Sequence, residues 1–203
     1  MIKARLLLVF TMLIALCTAT PVQAGHLPAT AMEGVRAWNG QAQSERARRA
    51  VPPLAFVRFC RQHSASCAVR PGSLPSRDGR VVLTSELFSS LEKTNHLINR
   101  SLRIRKDLPG RDVWQVNTLL GDCEDFALAK RAKLLALGWP SAAVSLAVVH
   151  TTEGAGHAVL IARTTGGDFV LDNLKAEIVP PARTGYDFLS MQDGTRAMGW
   201  IAL

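Results

Sequence analysis

Aromatic residues are scarce in this sequence, and no segment alternates aromatic with basic side chains. They make up 6% of the chain and include a single tyrosine, although the formal net charge is +8. Proteins that bind single-stranded nucleic acid stack bases on aromatic side chains that line a basic groove. The sequence therefore argues against a nucleic-acid partner. It predicts a solvated basic surface, suited to anionic membranes or cell-wall polymers.

Beyond residue 24 the sequence also lacks an apolar run of about 20 residues, the length that spans a bilayer. A shorter apolar run, Leu6–Leu16, follows Lys3 and Arg5 and precedes small residues before Gly25. This is the pattern of a secretory signal peptide. It predicts cleavage after residue 24 and a periplasmic or secreted protein that is not integral to the membrane.

The rest of the chain divides into two parts, with no internal repeat and no low-complexity segment. Residues 25–50 are polar and predict a flexible N-terminal arm, whereas residues 51–203 are long enough for one domain with its own core. Periodicity predicts helices at 54–62, 85–100 and 123–137, then strands at 145–150, 157–163, 169–173 and 197–203. Helices followed by an antiparallel sheet indicate an α+β fold. In the first helix we expect Leu54, Val57 and Phe59 to be buried.

Cysteine is rare, with four residues in the chain. Cleavage of the signal peptide would leave Cys60, Cys67 and Cys123, so that two can pair in an oxidising compartment and one stays free. Cys60 and Cys67 are closest in sequence. On one continuous helix their Cα atoms would be about 10 Å apart, beyond the roughly 4.4–6.8 Å range of a disulfide. We therefore predict that the helix ends between them and that Cys123 is the free thiol.

That cysteine lies in the segment Gly121-Asp122-Cys123-Glu124-Asp125, directly before an apolar-periodic helix. Unpaired N–H groups at a helix N-terminus favour a thiolate over a thiol. The backbone N–H of Cys123 is also a candidate oxyanion donor. No pair of His or Cys residues with zinc-ligand spacing lies near the segment. The pattern therefore argues against zinc catalysis and favours a cysteine nucleophile.

A histidine and an aspartate complete the pattern of a nucleophilic site. His157 begins one predicted strand, and Asp172 lies near the end of the next. If a four-residue loop, Thr164–Gly167, joins these strands, Asp172 lies diagonal to His157 on the same face. Imidazole can move a thiol proton, and a carboxylate can fix the imidazole tautomer. We predict Cys123, His157 and Asp172 as a catalytic triad, with His150 as the alternative base.

These residues resemble the bacterial transglutaminase-like cysteine proteinases. The resemblance covers roughly residues 51–203 and is densest around Cys123 and in four shorter motifs. These motifs are Ile98-Asn99-Arg100, Leu137-Gly138-Trp139-Pro140, Gly156-His157-Ala158-Val159-Leu160 and Leu171-Asp172-Asn173. The resemblance implies a papain/transglutaminase-like fold, with N-terminal helices packed on an antiparallel sheet. It also implies a cysteine peptidase in which Cys123 attacks a peptide or amide carbonyl, His157 transfers the proton and Asp172 orients His157.

The same resemblance extends to the substrate, the partners and a metal. It implies a protein substrate of the surface-adhesin type and an inner-membrane regulator, although the sequence is more similar to alphaproteobacterial members of the family than to its adhesin-cleaving members. In an adhesin-cleaving relative, acidic residues beside the nucleophile bind calcium. This implies calcium ligands at Asp122 and Glu124, with Asp125 as a further ligand. Trp114 and Gln115 lie where related thiol enzymes line the acyl site.

Other interpretations of these residues stay open. A transglutaminase or amidase would use the same triad, because a protein amine and water compete for one acyl-enzyme. A non-catalytic binding module would keep the fold without turnover, but no triad residue is missing here, which favours catalysis. Acidic residues are also common in the first turn of a helix, and that alone would explain Glu124 and Asp125.

Overall fold

The computed structural model describes residues 49–203, so the predicted signal peptide and nearly all of the predicted N-terminal arm lie outside the described residues. The helices are α1 (Leu54–Gln62), α2 (Ser64–Cys67), α3 (Ser85–Ser101) and α4 (Cys123–Ala136). The strands are β1 (Ser76–Arg77), β2 (Arg80–Val81), β3 (Arg103–Ile104), β4 (Leu120–Gly121), β5 (Val144–His150), β6 (Gly156–Thr164), β7 (Gly167–Leu171), β8 (Asp187–Gln192) and β9 (Trp200–Ala202). Helices come first and the main strands follow, which confirms the predicted α+β fold.

Seven of the strands form one sheet, in the order β1-β2-β6-β5-β8-β9, with β7 also paired to β6. All its pairings are antiparallel except one parallel pair between β2 and β6, at Val81 and Thr164. Strands β3 and β4 form a separate parallel pair, and β4 ends two residues before α4 begins. No helix among residues 49–203 is long and apolar enough to span a membrane.

The β6–β7 hairpin has the register expected from the sequence. Arg163 pairs with Asp168, and Leu160 pairs with Leu171. The loop is shorter than predicted, because Thr164 and Gly167 pair with each other and leave a two-residue turn. Removing one residue from each side of a hairpin loop preserves the register. The position immediately after β7 therefore lies beside the beginning of β6.

The two faces of the sheet are both buried. Helix α4 packs against β5 and β6, where Leu146, Leu160 and Ala162 contribute to the larger core. The opposite face buries Val159 and Ile161 in a second cluster. Strand β6 is therefore fixed on both sides, which makes it a rigid support for residues at its beginning.

The first helix has the predicted bounds, but a different buried face. Phe56 and Phe59 are buried, whereas Leu54 is 63% exposed and Val57 is only partly buried. Phe56 makes edge contacts with Trp114 and Trp200, at 5.6 and 5.4 Å between ring centroids. The prediction for Leu54 was wrong because the last strand and the connector before α4 approach the helix from the Phe56 side, and helical periodicity alone does not give that direction.

The disulfide prediction is confirmed. Helix α1 ends at Gln62, α2 begins at Ser64, and the break lets Cys60 and Cys67 approach to 5.6 Å between Cα atoms, where they are bonded. Cys123 is the free cysteine among the described residues.

Candidate active site

Helix α4 begins at Cys123, as the sequence predicted. Gly121 is required just before it, because a Cβ atom on residue 121 would overlap the Asp125 carboxylate. That carboxylate accepts a hydrogen bond of 2.6 Å from the backbone N–H of Gln115 through Oδ1. The connector, the glycine and the first helical turn therefore form one compact unit that presents the thiol.

The Cys123 thiol is partly buried and lies between a backbone donor and a carboxylate. The backbone N–H of Ala158, the residue after His157, lies close enough to lower the pKa of the thiol, while Sγ donates to Glu124 Oε2 at 3.3 Å. Burial, followed by the charge of Glu124, outweighs that N–H and raises the pKa of Cys123 to about 12. Without a positive charge nearby, the thiol is therefore protonated at neutral pH.

His157 and Asp172 form a buried pair. His157 Nε2 lies 2.8 Å from Asp172 Oδ1, and the two residues are 7% and 2% exposed. A carboxylate only accepts hydrogen bonds, so this contact places a proton on Nε2 and leaves Nδ1 for proton exchange with a thiol. Strand β6 carries His157 at its second residue, and Asp172 directly follows β7. The diagonal relation predicted from the hairpin register is therefore present.

Asp172 is held by more than the histidine. Oδ1 also accepts from the backbone N–H of Leu174 at 2.9 Å, and Oδ2 accepts from the Tyr186 hydroxyl at 2.6 Å. Burial alone would raise the pKa of Asp172, but hydrogen bonds from His157, Tyr186 and Leu174 outweigh it and lower the pKa below its usual value. The carboxylate is therefore ionised and fixed at neutral pH.

Helix α3 also supports the loop that follows Asp172. Asn99 Nδ2 donates to the Asp172 carbonyl at 2.9 Å, and Asn95 Nδ2 donates to the Ala176 carbonyl at 2.9 Å. The two asparagines are one helical turn apart, so both face the same loop. The resemblance singled out the motif Ile98-Asn99-Arg100 without giving Asn99 a role, and the structure shows that Asn99 supports the loop after Asp172.

A buried lysine, Lys130, lies on α4 two helical turns after Cys123. Lys130 is fully buried, and its Nζ has no hydrogen-bond partner among residues 49–203. Burial lowers the pKa of Lys130 to about 7, and the charge of Asp172 opposes that effect. The charged form of Lys130 and the ionised form of Asp172 therefore stabilise each other.

The other candidates from the sequence lie elsewhere or are already engaged. His150 is exposed at the end of β5 and pairs with Gly156 through the backbone. The Trp114 indole N–H donates to Asp112 Oδ1 at 2.9 Å, and its ring is buried against Phe56. Trp114 thus anchors the connector before α4 and its N–H is not available to an oxyanion, whereas the partly buried Gln115 binds Asp125 through its backbone.

The predicted calcium ligands do come together. One carboxylate oxygen from each of Asp122, Glu124 and Asp125 lies within 4.8 Å of the other two. A second group with the same spacing consists of Glu124, Asp107 and Asp112. No salt bridge joins any of these five carboxylates to a basic side chain within the described region. The sequence did not predict Asp107 and Asp112, because they lie in a connector without periodicity.

The donor set fits a hard cation. Carboxylate oxygens are the ligands that calcium prefers, and Asp122 Oδ1 is buried with no hydrogen-bond partner among the described residues. Burial raises the pKa of Glu124 to about 8, with the Asp122 carboxyl as the next cause, and it raises the pKa of Asp125 to about 7. A bound cation would offset both effects, because it favours the ionised form of each carboxylate.

Comparison with known proteins gives the same family as the motifs. The sequence model for the bacterial transglutaminase-like cysteine proteinases matches residues 46–203. No curated protein matches the chain. The structure is similar to LapG from Legionella pneumophila, with 25% sequence identity, a TM-score of 0.50, and coverage of 57% of this chain and 67% of LapG.

Two further forms of the Legionella protein are also similar. Calcium-bound LapG is 22% identical with a TM-score of 0.48, over 77% of this chain and 82% of LapG. EGTA-treated LapG is 22% identical with a TM-score of 0.49, over 74% of this chain and 87% of LapG. The family match covers most of the chain and includes every residue of the site described above. The chain therefore belongs to the bacterial transglutaminase-like cysteine proteinases and is a cysteine peptidase.

Proposed function

We propose that this chain is an exported thiol hydrolase that cleaves peptide or amide bonds of a protein substrate with the triad Cys123, His157 and Asp172. One observation carries the proposal. His157 Nε2 is bound to Asp172 at 2.8 Å, while the next residue, Ala158, directs its backbone N–H to the Cys123 sulfur. The residue beside the proposed base thus contacts the proposed nucleophile, which supports a role for both in one site.

The geometry supports a two-step acyl transfer. The Cys123 thiol gives its proton to His157 Nδ1 as sulfur bonds to the substrate carbonyl carbon, and the electron pair of the C=O bond moves to oxygen. When this intermediate collapses, the C–N bond breaks and the amine leaves with the proton from His157. Water then gives a proton to His157 and attacks the acyl carbon. The C–S bond breaks, the carboxylic acid product leaves, and sulfur recovers its proton.

Asp172 and the helix N-terminus assist both steps. Asp172 stabilises the imidazolium that forms at His157 and keeps Nδ1 directed away from the carboxylate. The backbone N–H of Cys123 lies at the first turn of α4, where N–H groups have no helical partner. It is therefore the proposed donor to the oxyanion.

Hydrolysis and amine transfer leave different products, and this difference tests the proposal. We expect the mature protein to cleave a proteome-derived peptide library, and cleavage in ¹⁸O-water should place the heavy oxygen in the new C-terminal carboxylates. Cys123→Ala protein is the matched control and should produce no new termini. Amine-linked products without chain cleavage would instead assign transglutaminase activity, and no product of either kind would contradict catalysis.

We further propose that calcium is bound by Asp122, Glu124 and Asp125, with Asp107 and Asp112 as additional ligands. Bound calcium would supply the positive charge that offsets the carboxylates beside the nucleophile. The proposal rests on five clustered carboxylates that form no salt bridge with a basic side chain among the described residues, and on the unsatisfied Asp122 Oδ1.

Chelation is expected to lower the melting temperature, and calcium but not magnesium should restore it. Calcium at 100 times its dissociation constant would add about 2.7 kcal/mol to the free energy of unfolding. Glu124→Gln should abolish the calcium-dependent shift, because Glu124 belongs to both carboxylate sets. Asp187→Asn, at an exposed position of β8, should retain it. Identical melting curves in calcium and in excess chelator would leave these residues without a metal role.

Export and a surface-protein substrate complete the proposal. The Cys60–Cys67 disulfide is typical of proteins in an oxidising compartment, and residues 1–24 have the pattern of a signal peptide. We propose the periplasm or the exterior as the location, a large adhesin as the substrate class, and an inner-membrane protein as the regulator. Trapping with Cys123→Ala protein in a periplasmic extract would identify the substrate.

A further inference from the structure

Tyr186 contacts both partners of the His157–Asp172 pair. Its hydroxyl donates to Asp172 Oδ2 at 2.6 Å, which is in the short range of a charge-assisted O–H···O⁻ bond. Its ring meets the His157 imidazole edge to face, at 5.8 Å between centroids and 85° between planes. It is the single tyrosine of the chain. No other aromatic ring contacts His157 in the described part of the molecule.

The Asp172 carboxylate would have one unconstrained oxygen without this hydroxyl. Oδ1 is bound by His157 Nε2 and by the Leu174 N–H, whereas Oδ2 has Tyr186 as its hydrogen-bond donor. A carboxylate held at one oxygen can rotate about its Cβ–Cγ bond, but one held at both cannot. The tyrosine hydroxyl thus fixes the plane in which Oδ1 meets the imidazole.

Tyr186 itself is held in place by neighbours outside the triad. Its backbone N–H donates to Thr184 Oγ1 at 3.1 Å, and that hydroxyl donates to the Pro181 carbonyl at 2.7 Å. Lys175 Nζ lies 5.4 Å from the ring centroid, in a cation–π contact. The backbone, the ring and the hydroxyl of Tyr186 are therefore all constrained. A residue can fix the orientation of another side chain only if its own position is fixed in this way.

We propose that Tyr186 is a positioning residue of the active site, which fixes the Asp172 carboxylate through its hydroxyl and the His157 ring through its aromatic ring. The proposal rests on the proposed triad function. It does not make Tyr186 a catalytic residue, because the hydroxyl is engaged with Asp172 rather than directed to the thiol.

Tyr186→Phe separates the hydroxyl from the ring, because it removes one oxygen and keeps the aromatic contact. We expect kcat to fall about tenfold with KM unchanged, since a hydrogen bond to a charged group that orients the base is lost. Thr195→Val is the matched control. The Thr195 hydroxyl donates to Asp193 Oδ1, also at 2.6 Å. The exposed turn that carries Thr195 has no hydrogen bond or ion pair to a triad residue among residues 49–203, so loss of the hydroxyl should leave kcat unchanged.

A spectroscopic readout distinguishes positioning from a general effect on stability. The Nε2 proton of His157 should give a downfield proton resonance, whose position reports on the Asp172 hydrogen bond. Because the chain has one tyrosine, biosynthetic 3-fluorotyrosine alters position 186 alone. The more acidic fluorophenol is a stronger donor and makes Asp172 a weaker acceptor. It should shift the resonance upfield while kcat stays close to that of the unlabelled protein, and the fluorinated protein decides the question if Tyr186→Phe does not fold.

The outcomes separate this proposal from the proposed function. Full kcat in Tyr186→Phe, or an unmoved His157 resonance in the fluorinated protein, would overturn the positioning role and leave the triad intact. Activity in Cys123→Ala protein would instead overturn the triad function on which the role depends. A tenfold loss in kcat with an upfield shift in the fluorinated protein would support both.

Discussion

Cys123→Ala is expected to lower kcat/KM by at least about 10⁴-fold, the order of loss when an enzyme nucleophile is removed. Alanine cannot form the acyl-enzyme, so only binding and backbone donors remain. The free energy of unfolding should stay within about 1–2 kcal/mol of the wild-type value, because the thiol is only partly buried and its hydrogen-bond acceptor, Glu124, stays in place. Steady-state kinetics and thermal melting of the same preparations measure both effects.

The disulfide provides a control for this prediction. A Cys60→Ala/Cys67→Ala double variant removes the other two cysteines of the described region and keeps the proposed nucleophile. It should remain active at temperatures where it is folded, although its melting temperature should fall. If the double variant were inactive while folded, or Cys123→Ala fully active, the assignment of the nucleophile would be wrong.

His157→Ala is expected to cause a loss comparable to that of Cys123→Ala, because no base remains to accept the thiol proton or to protonate the leaving amine. Asp172→Ala should keep roughly 100-fold more activity than His157→Ala, since imidazole without its orienting carboxylate still transfers protons. Values of kcat/KM for the two variants test this order.

His150→Ala is the control for these two variants, because His150 is the alternative base and lies on β5, the strand paired with β6. His150 is exposed at the end of β5, so His150→Ala should have wild-type kcat/KM. An inactive His150→Ala protein together with an active His157→Ala protein would refute the assignment of the base. Equal activity of Asp172→Ala and wild type would refute the role of Asp172.

The sequence permitted the His157–Asp172 pair without establishing it, because a hairpin loop with an odd number of residues would have placed the two side chains on opposite faces. In an antiparallel hairpin, side-chain direction has a period of two and the turn fixes the register. Once Arg163 is paired with Asp168, Asp172 must lie on the same face as His157. The start of α4 at Cys123 and the break between Cys60 and Cys67 were predictable, because each depends on residues within a few positions.

Contacts between distant segments could not be predicted in this way. Strand β8 was missed, because its six residues are preceded by an irregular segment and alternate only briefly between exposed and buried. Tyr186, next to β8, was therefore not linked to Asp172, 14 residues earlier. Asp107 and Asp112 join the carboxylate cluster through a connector with no periodicity. In each case the partner is set by the packing of the whole domain, not by local sequence.

The acidic surroundings of the nucleophile require a further physical explanation. Burial and Glu124 raise the pKa of Cys123 to about 12, the opposite of what a thiolate nucleophile requires. The helix N-terminus and the Ala158 N–H favour the thiolate. The proposed calcium ion would add the positive charge that these groups lack. The activity of the site and the occupancy of the carboxylate cluster should therefore change together.

Alkylation of the mature, non-reduced, calcium-loaded protein by iodoacetamide, followed by peptide mapping, tests the central claim most directly. At pH 6 an ordinary thiol of pKa about 8.5 is nearly all protonated and reacts slowly. We predict one adduct, on Cys123, that forms faster than the adduct of a small-molecule thiol and more slowly in His157→Ala protein. Labelling of Cys60 or Cys67, or a Cys123 rate no higher than that of the small thiol and unchanged in His157→Ala, would contradict an activated cysteine nucleophile at this site.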